Sequence, residues 1–183
     1  RTPMNIAEAN QLVLEAGKYF EAQQYENAQP LLKKVLGAHP QHSRANELLA
    51  YITGNLGDSN SSHELLKIAC EDQNCTPQAL YYLGSSYLNL DCPHEAIQFF
   101  SDALSKGGNF FEGLHDLATA QALANQKKEA IENFKKATEL NPHSPEVFYN
   151  LGKVYDSLKE YKEAIRYYEL AIQIWPEFAQ AHF

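Results

Sequence analysis

Cysteine is scarce and odd in number, three in 183 residues. That excludes a disulfide framework and fits a reducing compartment. Cations are in the minority: 15 Lys and Arg against 23 Asp and Glu give a formal charge of −8 and a pI near 5.3. Phosphate contacts need a cationic surface, so nucleic acid is excluded as a partner. No apolar run approaches the ~18–20 residues of a membrane span. The start, Arg1-Thr2-Pro3-Met4-Asn5, has no apolar core of a signal peptide. Also missing are a glycine-rich phosphate loop, G-x-S-x-G and H-E-x-x-H. What remains is a chain of globular composition, 44% hydrophobic and 21% charged. The expectation is a soluble, acidic, cytoplasmic protein with no membrane partner.

The sequence has a long-range period. Leu80-Tyr81-Tyr82-Leu83-Gly84, Leu114-His115-Asp116-Leu117-Ala118 and Phe148-Tyr149-Asn150-Leu151-Gly152 start 34 residues apart. Glu95-Ala96-Ile97, Glu129-Ala130-Ile131 and Glu163-Ala164-Ile165 keep the same step, as do Ala103, Ala137 and Ala171. Gly108, Pro142 and Pro176 close the units. Two weaker units precede them, one holding Leu12, Ala16, Tyr19, Ala28, Leu32, Val35 and Pro40, the next Leu49, Ala50, Leu66 and Ala69. The expected repeats are 9–42, 43–76, 77–110, 111–144 and 145–178, and 179–183 would begin a sixth that the natural protein continues.

Within a unit, apolar residues at i, i+3, i+4 and i+7 predict two amphipathic helices. In the fifth unit the first helix buries Phe148, Leu151, Gly152 and Tyr155, and the second buries Ala164, Ile165, Tyr168, Ala171 and Ile172. Thr76-Pro77 and Ser144-Pro145 each offer an N-cap hydroxyl followed by proline at the first helical position. A single pair cannot cover its apolar face, so neighbours must stack on it.

These columns resemble the tetratricopeptide repeat (TPR), with aromatic or Leu at column 4, Leu at 7, Gly or Ala at 8, Tyr at 11, Ala at 20, aromatic at 24, Ala at 27 and Pro at 32. The fifth unit fits all eight with Phe148, Leu151, Gly152, Tyr155, Ala164, Tyr168, Ala171 and Pro176. The resemblance implies an all-α, right-handed solenoid of antiparallel helix pairs, one array over residues 1–183. Three departures stand out. Glu15 replaces Leu at column 7 of the first unit. Pro30 predicts a shifted start or bend in the second helix. Gly54, Gly57 and the run Asp58-Ser59-Asn60-Ser61-Ser62 predict a loosened or lengthened turn and the least stable unit.

The resemblance places the first helices on a concave surface. The helical wheel puts columns 2, 5, 6, 9, 12 and 13 opposite the buried stripe. Those positions hold the acidic residues Glu21, Glu47, Glu112, Asp116, Glu146 and Asp156 against the basic Arg44 and Lys153. Their balance is −4, half of the chain's charge. The aromatic residues there are Phe20, Tyr51, Tyr81, Tyr82 and Tyr149, the type that anchors interfaces. The candidate peptide groove is therefore Arg44, Glu47, Tyr51, Tyr81, Tyr82, Glu112, His115, Asp116, Glu146, Tyr149, Asn150 and Lys153. Its expected occupant is an extended peptide or helix of a partner protein with basic and apolar character.

Family members that hold acidic chaperone tails use a clamp of Lys, Asn and Arg at set columns. Here those columns give Glu47, Tyr51, Tyr82, Glu112 and Asp116 in the middle window, and no window supplies the cations that a carboxylate needs. Such a tail is not an expected partner. The TPR halves of O-linked N-acetylglucosaminyl transferases carry an asparagine ladder at column 6, matched here by Asn150 alone, yet the final units are similar to those tracts. The alternative reading is thus the substrate-recruiting arm of a larger enzyme, a glycosyltransferase whose catalytic domain is missing from this chain.

Other chemistry is not expected. Cys70, Cys75 and Cys92 read as reduced structural thiols, and Cys75 and Cys92 at opposite ends of one helix are roughly 20 Å apart, too far for a bridge. His39 and His42 flank a turn and read as solvent-exposed, and His63 and His94 lack ligand spacing. His115 and Asp116 lack a nucleophile for a catalytic dyad. The pairs Lys33-Lys34, Lys127-Lys128 and Lys135-Lys136 read as a solvated convex side. The expectation is a non-enzymatic adaptor without cofactor or metal. An uncapped last unit with Trp175, Phe178 and Phe183 exposed would favour end-to-end self-association.

Overall fold

The structure is a computed structural model and describes residues 2–177. Among these the chain forms ten α-helices and no strand: α1 (Ile6–Glu21), α2 (Tyr25–Ala38), α3 (Ser43–Asn55), α4 (Ser59–Ala69), α5 (Pro77–Asn89), α6 (Pro93–Gly107), α7 (Phe111–Leu123), α8 (Lys127–Leu140), α9 (Pro145–Ser157) and α10 (Tyr161–Ile174). The proposed sixth repeat, 179–183, and Phe178 lie outside the described residues. Trp175 is half exposed.

Each odd-numbered helix joins the next through three residues. The middle one is left-handed every time: Gln23 (φ 58°), Gly57 (φ 92°), Asp91 (φ 58°), Asn125 (φ 63°) and Lys159 (φ 62°). The following amide closes the helix end by bonding a carbonyl five residues back: Gln24 to Tyr19, Asp58 to Thr53, Cys92 to Tyr87, Gln126 to Gln121 and Glu160 to Tyr155. This is the Schellman closure, which satisfies carbonyls that a helix end leaves open. The turn after α3 has the same length as the others, so the expected lengthening does not occur. Its glycine occupies the left-handed position, where an L side chain is strained. Gly54 and Ser62 are a packing pair: Ser62 donates its hydroxyl to the Ala50 carbonyl at 2.8 Å, and a Cβ on Gly54 would stand 3.1 Å from Ser62 Oγ.

Pro30 sits inside α2 without interrupting it, and α2 starts at Tyr25, in step with the other second helices. The expected shift is absent. Thr76 accepts from the Ala79 amide at 3.1 Å and caps α5. Ser144 makes no side-chain cap bond, contrary to the sequence reading. His42 caps α3 instead, accepting from the Ala45 amide at 3.3 Å, and Asn5 with Glu8 forms a capping box on α1.

The chain divides into two compact units, Arg1–Ser86 and Tyr87–Phe183. The first has a core of Val13, Leu32, Val35, Leu48, Leu49 and Ile52 around Ala9, Ala16, Ala28 and Ala45. The second has Leu114, Phe134, Val147, Leu151 and Val154 around Ala118, Ala130, Ala137 and Ala164. Small residues let helix axes approach while the large ones fill the space beside them. At Gly152 a Cβ would lie 2.6 Å from the Tyr168 ring. In α10 the buried stripe differs from the expected one. Tyr167 is buried, Ile165 and Ile172 are exposed, and Tyr168 is half-buried. Phe148 is half-buried too, its ring stacked 6.3 Å from Tyr167.

Candidate functional site

In the first unit, α3 carries Arg44, Glu47 and Tyr51, and α5 carries Tyr81 and Tyr82. α3 packs against α1, α2 and α4, so the arc it buries is wider than a single stripe. Glu47 falls inside that arc and is only 2% exposed. Arg44 Nη1 lies 2.8 Å from Glu47 Oε1. Tyr51 donates its hydroxyl to the same oxygen at 2.7 Å, and the Thr76 hydroxyl donates there as well. Burial first, and then the Glu47 carboxylate, push the Tyr51 phenol far above its ordinary value, so it stays a donor. Glu47 is therefore a structural carboxylate that ties α3 to the start of α5. The sequence reading that turned it towards a partner is corrected.

Tyr51 and Tyr82 meet edge to face at 5.1 Å, Tyr51 reaches Phe20 at 6.0 Å, and Tyr81 reaches Tyr82 at 5.5 Å. This run of rings follows the first-helix face of the unit. Tyr82 remains 42% exposed, Tyr81 is half-buried and Arg44 is exposed. Next to Arg44 is a polar depression of about 420 Å³, lined in part by Asn10, His42, Asn74 and Thr76. The two histidines of this turn are half-buried, not solvent-exposed: His39 bonds the Met4 carbonyl at 3.0 Å and His42 bonds Asn10 Oδ1 at 2.9 Å.

In the second unit, α7 carries Glu112, His115 and Asp116, and α9 carries Glu146, Tyr149, Asn150 and Lys153. His115 joins the two helices. Asn150 Nδ2 donates to its Nε2 at 3.2 Å, so Nδ1 carries the hydrogen and donates to Asp116 Oδ1 at 3.0 Å. The ring is stacked 6.1 Å from Phe111 and meets Phe134 edge-on at 5.8 Å. Both ring nitrogens are thus used within the protein. Asn150, the single match to the asparagine ladder, spends one amide hydrogen on this bond. Glu112 and Glu146 are exposed. Tyr149 lies 5.6 Å from Tyr168, and Lys153 Nζ lies 5.5 Å above the Tyr149 ring.

Between α7 and α9 opens a cavity of about 240 Å³, lined by residues that include Ala122, Leu123, Phe134, Val154, Lys127 and Lys153. Sequence reasoning assigned Lys127 to a solvated convex side. The structure sets it on this first-helix cavity, donating to the Ser157 carbonyl at 3.2 Å. Its signal was its place at the first position of α8, immediately after the left-handed turn. Lys135 departs from the bare solvated face as well, with its ammonium 5.8 Å over Tyr155. Among the described residues no cluster of His, Cys, Asp and Glu could hold a metal ion, and no helix is long and apolar enough to cross a membrane.

Known proteins place this arrangement. Tetratricopeptide-repeat family models match residues 14–52 and 145–178, and a TPR-repeat model matches 123–159. The UDP-N-acetylglucosamine–peptide N-acetylglucosaminyltransferase of Giardia intestinalis is 31% identical over 103 residues, 55% of this chain and 7% of that protein. The human protein O-mannosyl-transferase TMTC1 is 22% identical over 166 residues, 87% of this chain and 18% of that protein. The chain thus spans less than a fifth of either curated relative. Among solved structures, MamA superposes with a TM-score of 0.78 at 21% identity, over 97% of this chain and 98% of that one. YrrB, a TPR protein with an unusual peptide-binding site, superposes with a TM-score of 0.84 at 20% identity, over 91% and 86%. These likenesses show an all-α TPR solenoid fold. The three family matches cover more than half of the sequence between them, and the chain belongs to the tetratricopeptide repeat family.

Proposed function

We propose that the chain is a non-catalytic scaffold that holds a peptide or helical segment of a partner protein on its first-helix face. The observation that carries this reading is the run Phe20, Tyr51, Tyr82 and Tyr81, with Tyr82 at 42% exposure. Aromatic rings set on a rigid helix face give large contact area at small entropic cost. The exposed carboxylates Glu112 and Glu146 favour a basic component in the partner, and the rings favour an apolar one. YrrB is described as having a peptide-binding site, which supports the same use here. The reading includes one array of five repeats, a cytoplasmic setting, and no role for nucleic acid, a membrane surface or an acidic chaperone tail.

Affinity capture with wild type and with the double variant Tyr82→Ala/Asp116→Lys tests it. We expect a specific partner to be recovered by wild type and lost by the variant. Equal recovery by both would refute groove binding.

One further observation favours a second reading, the 31% identity to a fragment of a peptide N-acetylglucosaminyltransferase. In that reading the chain recruits substrates for a catalytic domain elsewhere in a longer protein. Coding sequence beyond Phe183 separates the two. A long α/β stretch supports the transferase arm, and further repeats followed by a stop support the adaptor.

A further inference from the structure

The cavity between α7 and α9 combines an apolar wall with cationic side chains. Phe134, 1% exposed, forms its inner wall, with Val154 and Ala122 beside it and Leu123, 62% exposed, at its rim. The lining also holds two lysines, Lys127 and Lys153, and the neutral polar residues Thr119, Asn150 and Ser157. Lys127 is held by a backbone carbonyl and Lys153 by the face of Tyr149. Both partners are neutral, and neither lysine takes part in the ion pairs Arg44–Glu47, Lys67–Glu64 and Arg166–Glu163. An ammonium has three donors, so each keeps capacity for an incoming acceptor. At about 240 Å³ the cavity falls below the ~300 Å³ lower end of pockets for drug-sized ligands, a size suited to one side chain.

We propose that this cavity anchors an apolar side chain whose neighbouring residue in the partner carries a carboxylate. The apolar side chain covers Phe134 and Val154, and the carboxylate meets Lys127 and Lys153. The inference rests on the reading of this face as a peptide groove and adds a polarity to it. Glu112 and Leu123 stand eleven residues apart on α7, roughly 16 Å along the axis. That distance is about five residues of extended chain. A segment that puts its basic residue beside Glu112 and Glu146 therefore places its apolar–acidic pair some five residues away, over the cavity.

The test is a methyl and amide NMR titration of the full chain with three capped dipeptides, acetyl-Leu-Asp, acetyl-Leu-Asn and acetyl-Leu-Lys methylamides. We expect saturable shifts at Ala122, Leu123 and Val154 with acetyl-Leu-Asp, and roughly five- to tenfold weaker binding of acetyl-Leu-Asn, the scale of two rim ion pairs. Acetyl-Leu-Lys should be weakest. Lys127→Glu/Lys153→Glu, with its fold checked by amide dispersion, should reverse the order so that acetyl-Leu-Lys binds best. Equal affinities for the three probes, shifts confined to other residues, or an unchanged order in the double variant would each overturn the anchor site. If these fail while Tyr82→Ala/Asp116→Lys still abolishes partner capture, the anchor falls and the groove reading stands.

Discussion

Three carboxylates that occupy the same helix face in the sequence have different roles in the folded chain. Glu47 is buried and accepts from Arg44, Tyr51 and Thr76, whereas Glu112 and Glu146 are exposed. Removing Glu47 leaves two half-buried hydroxyls without their acceptor, while Arg44 can turn to solvent. Glu47→Ala should therefore cost about 2–3 kcal/mol, below the full cost of breaking a fully buried pair. Glu112→Ala and Glu146→Ala should stay within about 0.5 kcal/mol. Urea denaturation followed by circular dichroism measures all three, and equal losses would mean that Glu47 is solvated. The phenylalanines divide in the same way. Phe134→Ala should cost about 3–5 kcal/mol as a cavity-forming change. Phe148, half-buried against Tyr167, should cost less than half of that, although its repeat column marks it as core.

At the scale of the helix pair, the recurrent device is a left-handed residue in each three-residue turn. One of the five is glycine; the others are Gln23, Asp91, Asn125 and Lys159. Left-handed geometry costs a side chain roughly 1 kcal/mol, least for Asn and Asp, which tolerate it. Lys159→Gly should accordingly stabilise the chain by about 0.5–1 kcal/mol, Asn125→Gly by less, and Gly57→Ala should destabilise it by about 1 kcal/mol. Thermal midpoints of the three variants check the ranking. The N-terminus of α3 has its own dependence on pH. Burial holds the His42 imidazole below its ordinary value of 6.5, and its neutral Nδ1 accepts the Ala45 amide. The unfolded chain binds the proton more readily, so the stability from this cap is complete above pH 6.5. It declines as pH falls below 6.5 through the lowered folded value. The midpoint should drop by a few degrees between pH 7.5 and 5.5, and His42→Asn, a cap that does not titrate in this range, should flatten the decline. An unchanged slope would show that other groups govern acid unfolding.

For the molecule as a whole, charge bears on binding more than on folding. With a net −8, the proposed basic partner segment would be steered in by long-range attraction that salt screens over about 8 Å at 0.15 M. Raising salt from 0.15 to 0.5 M should weaken capture of the partner mainly through the association rate, whereas contacts with the aromatic run should persist. Salt-independent association measured by surface plasmon resonance would point to a partner without basic character. Each compact unit combines an alanine- and leucine-rich core with an exposed first-helix face. On the proposed reading a partner would be recognised by what lies on that face, because the small core residues that define the repeat are covered.

The 34-residue step, the helix starts at 43, 77, 111 and 145, and the family were legible in the sequence. Short-range periodicity and small residues at fixed columns dictate which stripes must be buried, whatever the neighbours are. The distribution of the remaining side chains between solvent and interior was not legible. A helical wheel treats Glu47, Glu112 and Glu146 alike; only the first is covered, with Arg44, Tyr51 and Thr76 gathered on its carboxylate. The same limit moved Ile165 out and Tyr167 in, and carried Lys127 from a nominal outer face to the wall of the α7–α9 cavity. Sequence spacing sets the direction of a side chain about its own helix axis. Which surfaces it then meets depends on the other helices packed around that axis, and only the tertiary structure contains them.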